Sequence, residues 1–293
     1  MEYKFKNFHK RFKHLETQES IEFYSIFDGY PLLSTLKLEE NLALSIQYNI
    51  LDKVDELKDY FIYDTNASFQ KDLESILTRL AIGDRKNYTV YKKENISQLR
   101  GRVLYKALFE KGIIKKEKSR EKPKREFKGQ LIKKSLRRYE VQDKIHFTCN
   151  FTRFWFTYIA PFEKNPLQVD EIMKSIESHI SLTFEELSNE LIIYRYKKGD
   201  VVSQGSYWDK NIEIDMLIKM KNGTIIAGES KWKSRQVCKN ILKKLERKCE
   251  RAELGASKFA IFSKSGFSKE LKSKKSDDMM LFELKDFEVL HDR

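Results

Sequence analysis

An α/β fold, α+β overall, is predicted for this chain of 293 residues by three features of its sequence. Up to about Asp64 the apolar residues recur at helical spacing. Between about Ala67 and Tyr139, three helical patterns are followed by β-type segments rich in Lys and Arg. From about Val169 the order changes to a long helix, then alternating strands around an Asn-Gly turn, a further helix and a strand. Three domains are expected, over residues 1–64, 65–165 and 166–293.

Charge narrows the partners. Lys and Arg number 57 against 44 Asp and Glu, a formal net charge of +13. Such an excess favours a polyanion, because each neutralised phosphate releases counterions. Nucleic acid is the expected partner, with DNA preferred over RNA. Cys149, Cys238 and Cys249 have no metal-ligand spacing, and an odd count argues against a disulfide framework. A reducing, cytoplasmic setting is therefore expected. The basic, aromatic first thirteen residues lack the apolar core of a signal peptide, and no apolar run suits a bilayer. No membrane partner is expected.

In the first module, residues 38–51 carry apolar side chains three and four apart, and Phe27-Asp-Gly-Tyr-Pro31 reads as a turn punctuated by Gly29 and Pro31. This is a helical packing module. In the second, a helix over 69–80 ends at Gly83, a short one covers 91–95, and a third over 98–110 stops at Gly112. Two β segments follow, at 113–116 and 131–141. Three helices and a basic hairpin make the winged-helix order.

The expected wing holds Lys115, Lys116, Lys118, Arg120, Lys122, Lys124, Arg125 and Lys128, then Lys133, Lys134, Arg137 and Arg138. These would follow a phosphate backbone while Arg100, Arg102 and Lys106 of the third helix face the groove. The plainer alternative is a solvated loop on a packing domain. Next, Phe151, Phe154, Trp155 and Tyr158 share helical spacing and read as core rather than as a base-stacking platform. Residues 161–168 read as a linker.

The third domain carries the chemistry. A helix is expected over 169–196, with Ile172, Ile176, Ile180, Phe184, Leu187 and Leu191 apolar, then a strand over 201–207. In the strand over 211–219, Ile212, Ile214, Met216 and Ile218 alternate with Glu213 and Asp215. Asn222-Gly223 suggests a two-residue hairpin turn. The returning strand, 224–232, sets Glu229 and Lys231 on one face and Ser230 on the other. A helix over 236–251 and a strand over 258–263 follow. Asp215 and Glu229 on neighbouring strands could share Mg²⁺ or Mn²⁺, since such hard ions take oxygen ligands and keep several waters. The Ser230 carbonyl is a further candidate ligand. Lys231 would orient the attacking water and stabilise developing charge. Burying these charges beside an apolar run is costly unless they are paired or metal-bound.

These residues resemble the PD-(D/E)xK nuclease superfamily, with Asp215 as the first acid and Glu229-Ser-Lys231 as the (D/E)xK element. Ile214 stands where the motif has Pro. The resemblance implies a restriction-endonuclease-like mixed sheet flanked by helices and Mg²⁺-dependent phosphodiester hydrolysis. It makes Glu185 or Glu186, on the preceding helix, a candidate additional acid; Glu213 shares the face of Asp215 and is another.

A wider resemblance rests on Phe27-Asp-Gly-Tyr-Pro31, Tyr139-Glu-Val-Gln-Asp143, Arg153-Phe-Trp155 with Ile159-Ala-Pro161, Tyr207-Trp-Asp209, Gly228-Glu-Ser-Lys-Trp232 and Phe262-Ser-Lys-Ser-Gly-Phe267. These are similar to the C-terminal region of archaeal-type ATPases, a winged helix followed by a nuclease-like domain. No G-x-x-x-x-G-K-[ST] phosphate loop occurs here, so neither ATP binding nor ATPase activity is expected. The expectation is a DNA-binding protein with a metal-dependent phosphodiesterase domain. The alternatives are a catalytically inactive DNA-binding or regulatory protein, a docking partner of a separate ATPase, or a homodimer of either kind.

Overall fold

The computed structural model describes all residues except 1–3, 84, 122–126, 132, 135–138, 140, 197 and 293. Lys122, Lys124, Arg125, Arg137 and Arg138 of the expected wing lie outside the described residues. The fold is mixed α/β, with helices and a five-stranded mixed sheet. Two compact units divide it: Met1–Lys116 with Lys144–Phe184 and Glu288–Arg293, and Glu117–Asp143 with Glu185–Phe287. Among the described residues no helix is long and apolar enough to cross a membrane.

The first unit is largely helical. It comprises α1 (Lys4–Arg11), α2 (Thr17–Phe27), α3 (Leu42–Asn49), α4 (Val54–Leu57), α5 (Ala67–Ala81), α6 (Asn87–Lys93), α7 (Gln98–Glu110), β1 (Ile114–Glu117), β2 (Lys144–Phe147), α8 (Asn150–Tyr158), α9 (Val169–Met173) and the start of α10 (Ile176–Arg195). Local chemistry sets the helix ends. Asn66 and Ser97 cap α5 and α7 by accepting from the N–H groups of Phe69 and Arg100. At the far end of α7, Gly112 takes φ +69°, and the N–H groups of Gly112 and Ile113 return to Phe109 and Leu108.

The aromatic block is core. Phe151, Phe154, Trp155, Phe156 and Tyr158 are all buried in α8, and Trp155 stacks on Phe61 at 4.3 Å. The turn after α2 holds the start of this helix. Asp28 accepts from the N–H groups of Asn150 and Phe151, and a side chain at Gly29 would meet Cys149 Cβ at 2.7 Å. Tyr30 donates its hydroxyl to the Asn49 carbonyl at 2.6 Å.

Of the strand expected over 131–141, residues 132, 135–138 and 140 lie outside the described residues. β1 pairs with β2, whose Ile145 and Phe147 are buried.

The second unit holds a sheet ordered β3-β4-β5-β6-β7: Val201–Trp208, Glu213–Met220, Ile225–Lys231, Lys258–Ser263 and Met279–Phe282. The first three strands are antiparallel; β5, β6 and β7 run parallel. A parallel neighbour requires a crossover, and α11 (Lys239–Arg251) makes it from β5 to β6. Its Leu245 and Cys249 pack with Ile214, Leu217 and Ala227, while Leu242 joins Ile261, Phe267 and Leu281. The short α12 (Lys269–Lys272) precedes β7.

The β4–β5 hairpin is one residue longer than expected. Met220 and Thr224 are bridged by a hydrogen bond, Gly223 N–H returns to Met220, and Gly223 alone in this loop takes positive φ, +87°. This is a three-residue turn with glycine in the left-handed position, not the two-residue turn that would place Asn222 there too. At the outer edge of the sheet, β3 is covered by the residues from Glu117, at the end of β1, to Arg120. Ser206 N–H donates to Glu117, Trp208 N–H donates to Ser119, and the Arg120 guanidinium donates to the Gln204 carbonyl.

Candidate functional site

The β4–β5 register puts Met216 opposite Gly228, and the next residues along each strand are Asp215 and Glu229. Alternation points both carboxylates to one face, with Lys231 two residues further along β5. Gly228 permits this close approach, since a Cβ there would lie 3.0 Å from the Met216 sulfur and 3.2 Å from the Ala260 carbonyl oxygen. β5 is also central, bonded to β4 and β6, so its side chains are carried on paired backbone.

The side chains form a closed network. Lys231 Nζ lies 2.7 Å from Glu229 Oε1 and 3.9 Å from Asp215 Oδ2. Lys248 Nζ of α11 donates to Glu229 Oε2 at 2.9 Å. Ser230 N–H donates to Asp215 Oδ2 at 2.9 Å. Burial, reinforced by the charge of Glu229, pushes the Asp215 carboxyl up to about 6, against the opposing pull of Lys231, the Ser230 amide and Lys248. Burial works against the Lys231 ammonium too. Asp215 and Glu229, with a smaller effect from Glu185, outweigh it and hold its pKa above the ordinary lysine range.

Two strand carboxylates with mutual repulsion suit a hard divalent cation, which would relieve the charge that raises Asp215. The donor set has only two acids: among the described residues no three His, Cys, Asp or Glu side chains group to hold a metal. Glu185 acts on Lys231 electrostatically, Glu186 is half-buried on α10, and Glu213 is exposed at the start of β4. Ser230 contributes its N–H to Asp215, while its buried Oγ has no hydrogen-bond partner among the described residues.

Two residues of the site were absent from the sequence reading. Lys248 is one of six basic residues on α11, and only the packing of that helix selects it. Asn189 of α10 donates to the Glu185 carbonyl at 3.0 Å and to the Asp215 carbonyl at 3.4 Å, bracing the β4 backbone. Nothing in its local sequence marks it.

The expected nucleic-acid residues separate into two groups. Arg100 turns toward Asp72 at 2.8 Å and lies over the Phe69 ring at 4.7 Å, so it packs α7 against α5. Arg120 is occupied at the edge of β3. In contrast, Arg102, Lys106, Lys115, Lys116, Lys118, Lys128, Lys133 and Lys134 are exposed. Lys106 has Glu110 at 3.7 Å, and Lys116 lies 5.9 Å from the centre of the Phe109 ring.

The other motifs have structural work. Asp209 accepts from the N–H groups of Asn211 and Ile212, closing the turn into β4. Trp208 is buried and donates its indole N–H to the Gln142 carbonyl. After β6, Lys264 N–H donates to the Lys231 carbonyl and Ser265 Oγ to that of Lys233, fixing the chain just beyond the (D/E)xK element.

Known proteins share parts of this chain. It is 27% identical over 305 residues to an uncharacterized protein of Methanocaldococcus jannaschii, covering 94% of this chain and 64% of that one. The chain thus spans under two thirds of the relative's length. Among solved structures, protein VC1899 from Vibrio cholerae matches over 75% of this chain and 55% of its own, at 14% identity and a TM-score of 0.31, a level that speaks to neither fold nor function. Residues 152–245, which contain Asp215, Glu229 and Lys231, match DUF234, a family of archaeal and bacterial proteins of unknown function.

Proposed function

We propose that the second unit is a Mg²⁺- or Mn²⁺-dependent phosphodiester hydrolase of the PD-(D/E)xK kind, acting on DNA. The observation that carries this reading is the meeting of Asp215, Glu229 and Lys231 on one face of two adjacent strands, with Lys231 2.7 Å and 3.9 Å from the two carboxylates. Asp215 and Glu229 would hold the ion. When bound, such an ion polarises a phosphoryl oxygen and lowers the pKa of a coordinated water.

The chain's own groups would do the rest. The Ser230 amide fixes one Asp215 oxygen, and Lys248 fixes Glu229 from the helix side. Lys231, held protonated, orients a water and offsets charge developing on the phosphate. A winged-helix reading of α5–α7 and the β1–β2 pair would supply DNA contact through Arg102, Lys106 and the exposed lysines, which suit phosphate positioning more than base readout.

A second reading is favoured by one observation: lysines already hold both Glu229 oxygens, and among the described residues no third His, Cys, Asp or Glu groups with the two acids to hold a metal. On that reading the protein is an inactive DNA-binding or regulatory protein, or the docking partner of a separate ATPase. Cleavage of labelled single- and double-stranded DNA with Mg²⁺ or Mn²⁺ separates the two. The hydrolase reading expects metal-dependent cutting that falls at least about a hundredfold in Lys231→Ala, the cost of removing one charge-stabilising donor. No cutting by the wild type, with salt-sensitive DNA binding intact, overturns it in favour of the second reading.

A further inference from the structure

The first unit carries a groove that the hydrolase reading does not use. Its larger part, about 640 Å³, is lined by Phe61, Ile62, Trp155, Ile159, Phe162 and Leu167 among others. A smaller hollow of about 330 Å³ follows α5 along Lys71, Glu74, Ser75, Thr78 and Ile82. The two share Glu74 and Ala160 among their lining residues, so they adjoin one another. The positions from Lys71 to Ile82 fall on one helix face over twelve residues, about 16 Å of length and about three turns of an occupying helix.

The larger part is lined mostly by apolar side chains, the smaller mostly by polar ones, and both are open to solvent in places. Ile62 is 59% exposed, Ile82 61% and Phe162 37%. Isolated exposed apolar residues need no explanation, but Ile62 and Phe162 in the larger hollow, with Ile82 in the adjoining one, mark a contact surface. Its charge is distinctive. Across both parts the lining holds five acids (Asp55, Asp59, Glu74, Glu94, Glu163) and three bases (Lys58, Lys71, Arg79). Lys58 is paired with Asp55 and Arg79 with Glu94. Asp59 and Glu163 form no ion pair among the described residues and face the groove, whereas the whole chain carries +13. An acidic margin repels nucleic acid, so this surface does not belong to the polyanion-binding face.

We propose that this groove is a docking site for an amphipathic, basic helix of a partner protein. Its apolar anchors would enter the hollow over Trp155 and Phe162, and its Lys or Arg residues would meet Asp59, Glu74 and Glu163. Apolar groove, helix-length run and complementary charge together are the requirements of helix-in-groove recognition. The proposal is independent of the chemistry at Asp215.

The test uses the full chain and a labelled synthetic helix of about 14 residues, Leu on one face and Lys on the other. Fluorescence anisotropy should show saturable binding of one peptide per chain. Asp59→Lys with Glu163→Lys, and separately Ile62→Asp with Phe162→Asp, should each weaken it at least about tenfold while the circular dichroism spectrum is unchanged. Asp277→Lys with Asp278→Lys, exposed acids outside the groove, should leave it unchanged. Equal binding by the groove variants overturns the proposal, as does equal binding of a Leu/Glu helix or of oligolysine. Self-association of the chain in sedimentation velocity, abolished by the same variants, also overturns it, because a second copy would then be the occupant.

Discussion

Asp215 is held at a position where burial and a neighbouring carboxylate both oppose its ionisation, and the consequence is a pH dependence of a definite sign. Its carboxyl titrates near 6 in the folded protein against 3.8 as the ordinary value, so the folded state binds this proton more tightly. That favourable contribution is complete below about pH 4 and is lost as pH rises through about 6. Asp215→Asn should therefore flatten the stability profile between pH 4 and 6, read as urea midpoints, and be at least as stable as the wild type at pH 7. Added Mg²⁺ should raise the wild-type Tm at pH 7 and leave that of Asp215→Asn unmoved. That Asp215, Glu229 and Lys231 share one face was legible in the sequence, because strand alternation fixes faces without further information. Lys248 was not, because a helix with basic residues on most of its surface does not say which one meets the sheet.

α7 and β6, with clear periodicity, were read to the residue, whereas the single helix expected over 169–196 is interrupted after Met173 and resumes at Ile176. What failed was short or ended by tertiary contact. β7 is four residues, Met279–Phe282, with no alternation to distinguish it from any apolar run, and β2 was hidden because its partner is more than twenty residues away. Glycines at this scale give opposed expectations. Gly101 lies inside α7, where Ala ordinarily stabilises by about 1 kcal/mol. Here a Cβ would lie 2.7 Å from the Tyr91 ring, so Gly101→Ala should destabilise by about 1–2 kcal/mol as α6 and α7 are forced apart. Gly223→Ala meets no atom within 4 Å and should cost about 1 kcal/mol through its left-handed backbone alone, with Gly223→Asn costing less. Denaturant unfolding of the three variants measures both effects.

For the molecule as a whole, the net charge of +13 makes a polyanion the expected partner but does not say where it would bind. The exposed lysines Lys128, Lys133 and Lys134 sit in the segment of the chain that belongs to the second unit, whereas Arg102 and Lys106 sit in the first. If these residues touch DNA phosphates, affinity should fall linearly with the logarithm of salt concentration. Converting Lys128, Lys133 and Lys134 to Gln should reduce the slope by about 0.9 for each phosphate no longer neutralised. An unchanged slope in the triple variant would remove that segment from the DNA-binding surface. The basic stretch from Lys115 to Arg138 is expected as a wing of the preceding helices, yet within it Glu117, Ser119 and Arg120 bond to the outer strand of the sheet.

That outer strand has a bearing on the chemical fate of the protein in concentrated solution. β3 contains Gly205 at φ +141° and two register shifts, and its outward amides and carbonyls are taken by Glu117, Ser119 and Arg120. Stripped of that covering, an irregular strand still offers N–H and C=O groups that another chain can zip onto, the first step toward fibrils. Ser119→Ala with Arg120→Ala should keep the fold and yet raise concentration-dependent light scattering and thioflavin-T fluorescence on storage. On that outcome, two residues that look like part of a binding loop would act as a guard against amyloid-like self-propagation.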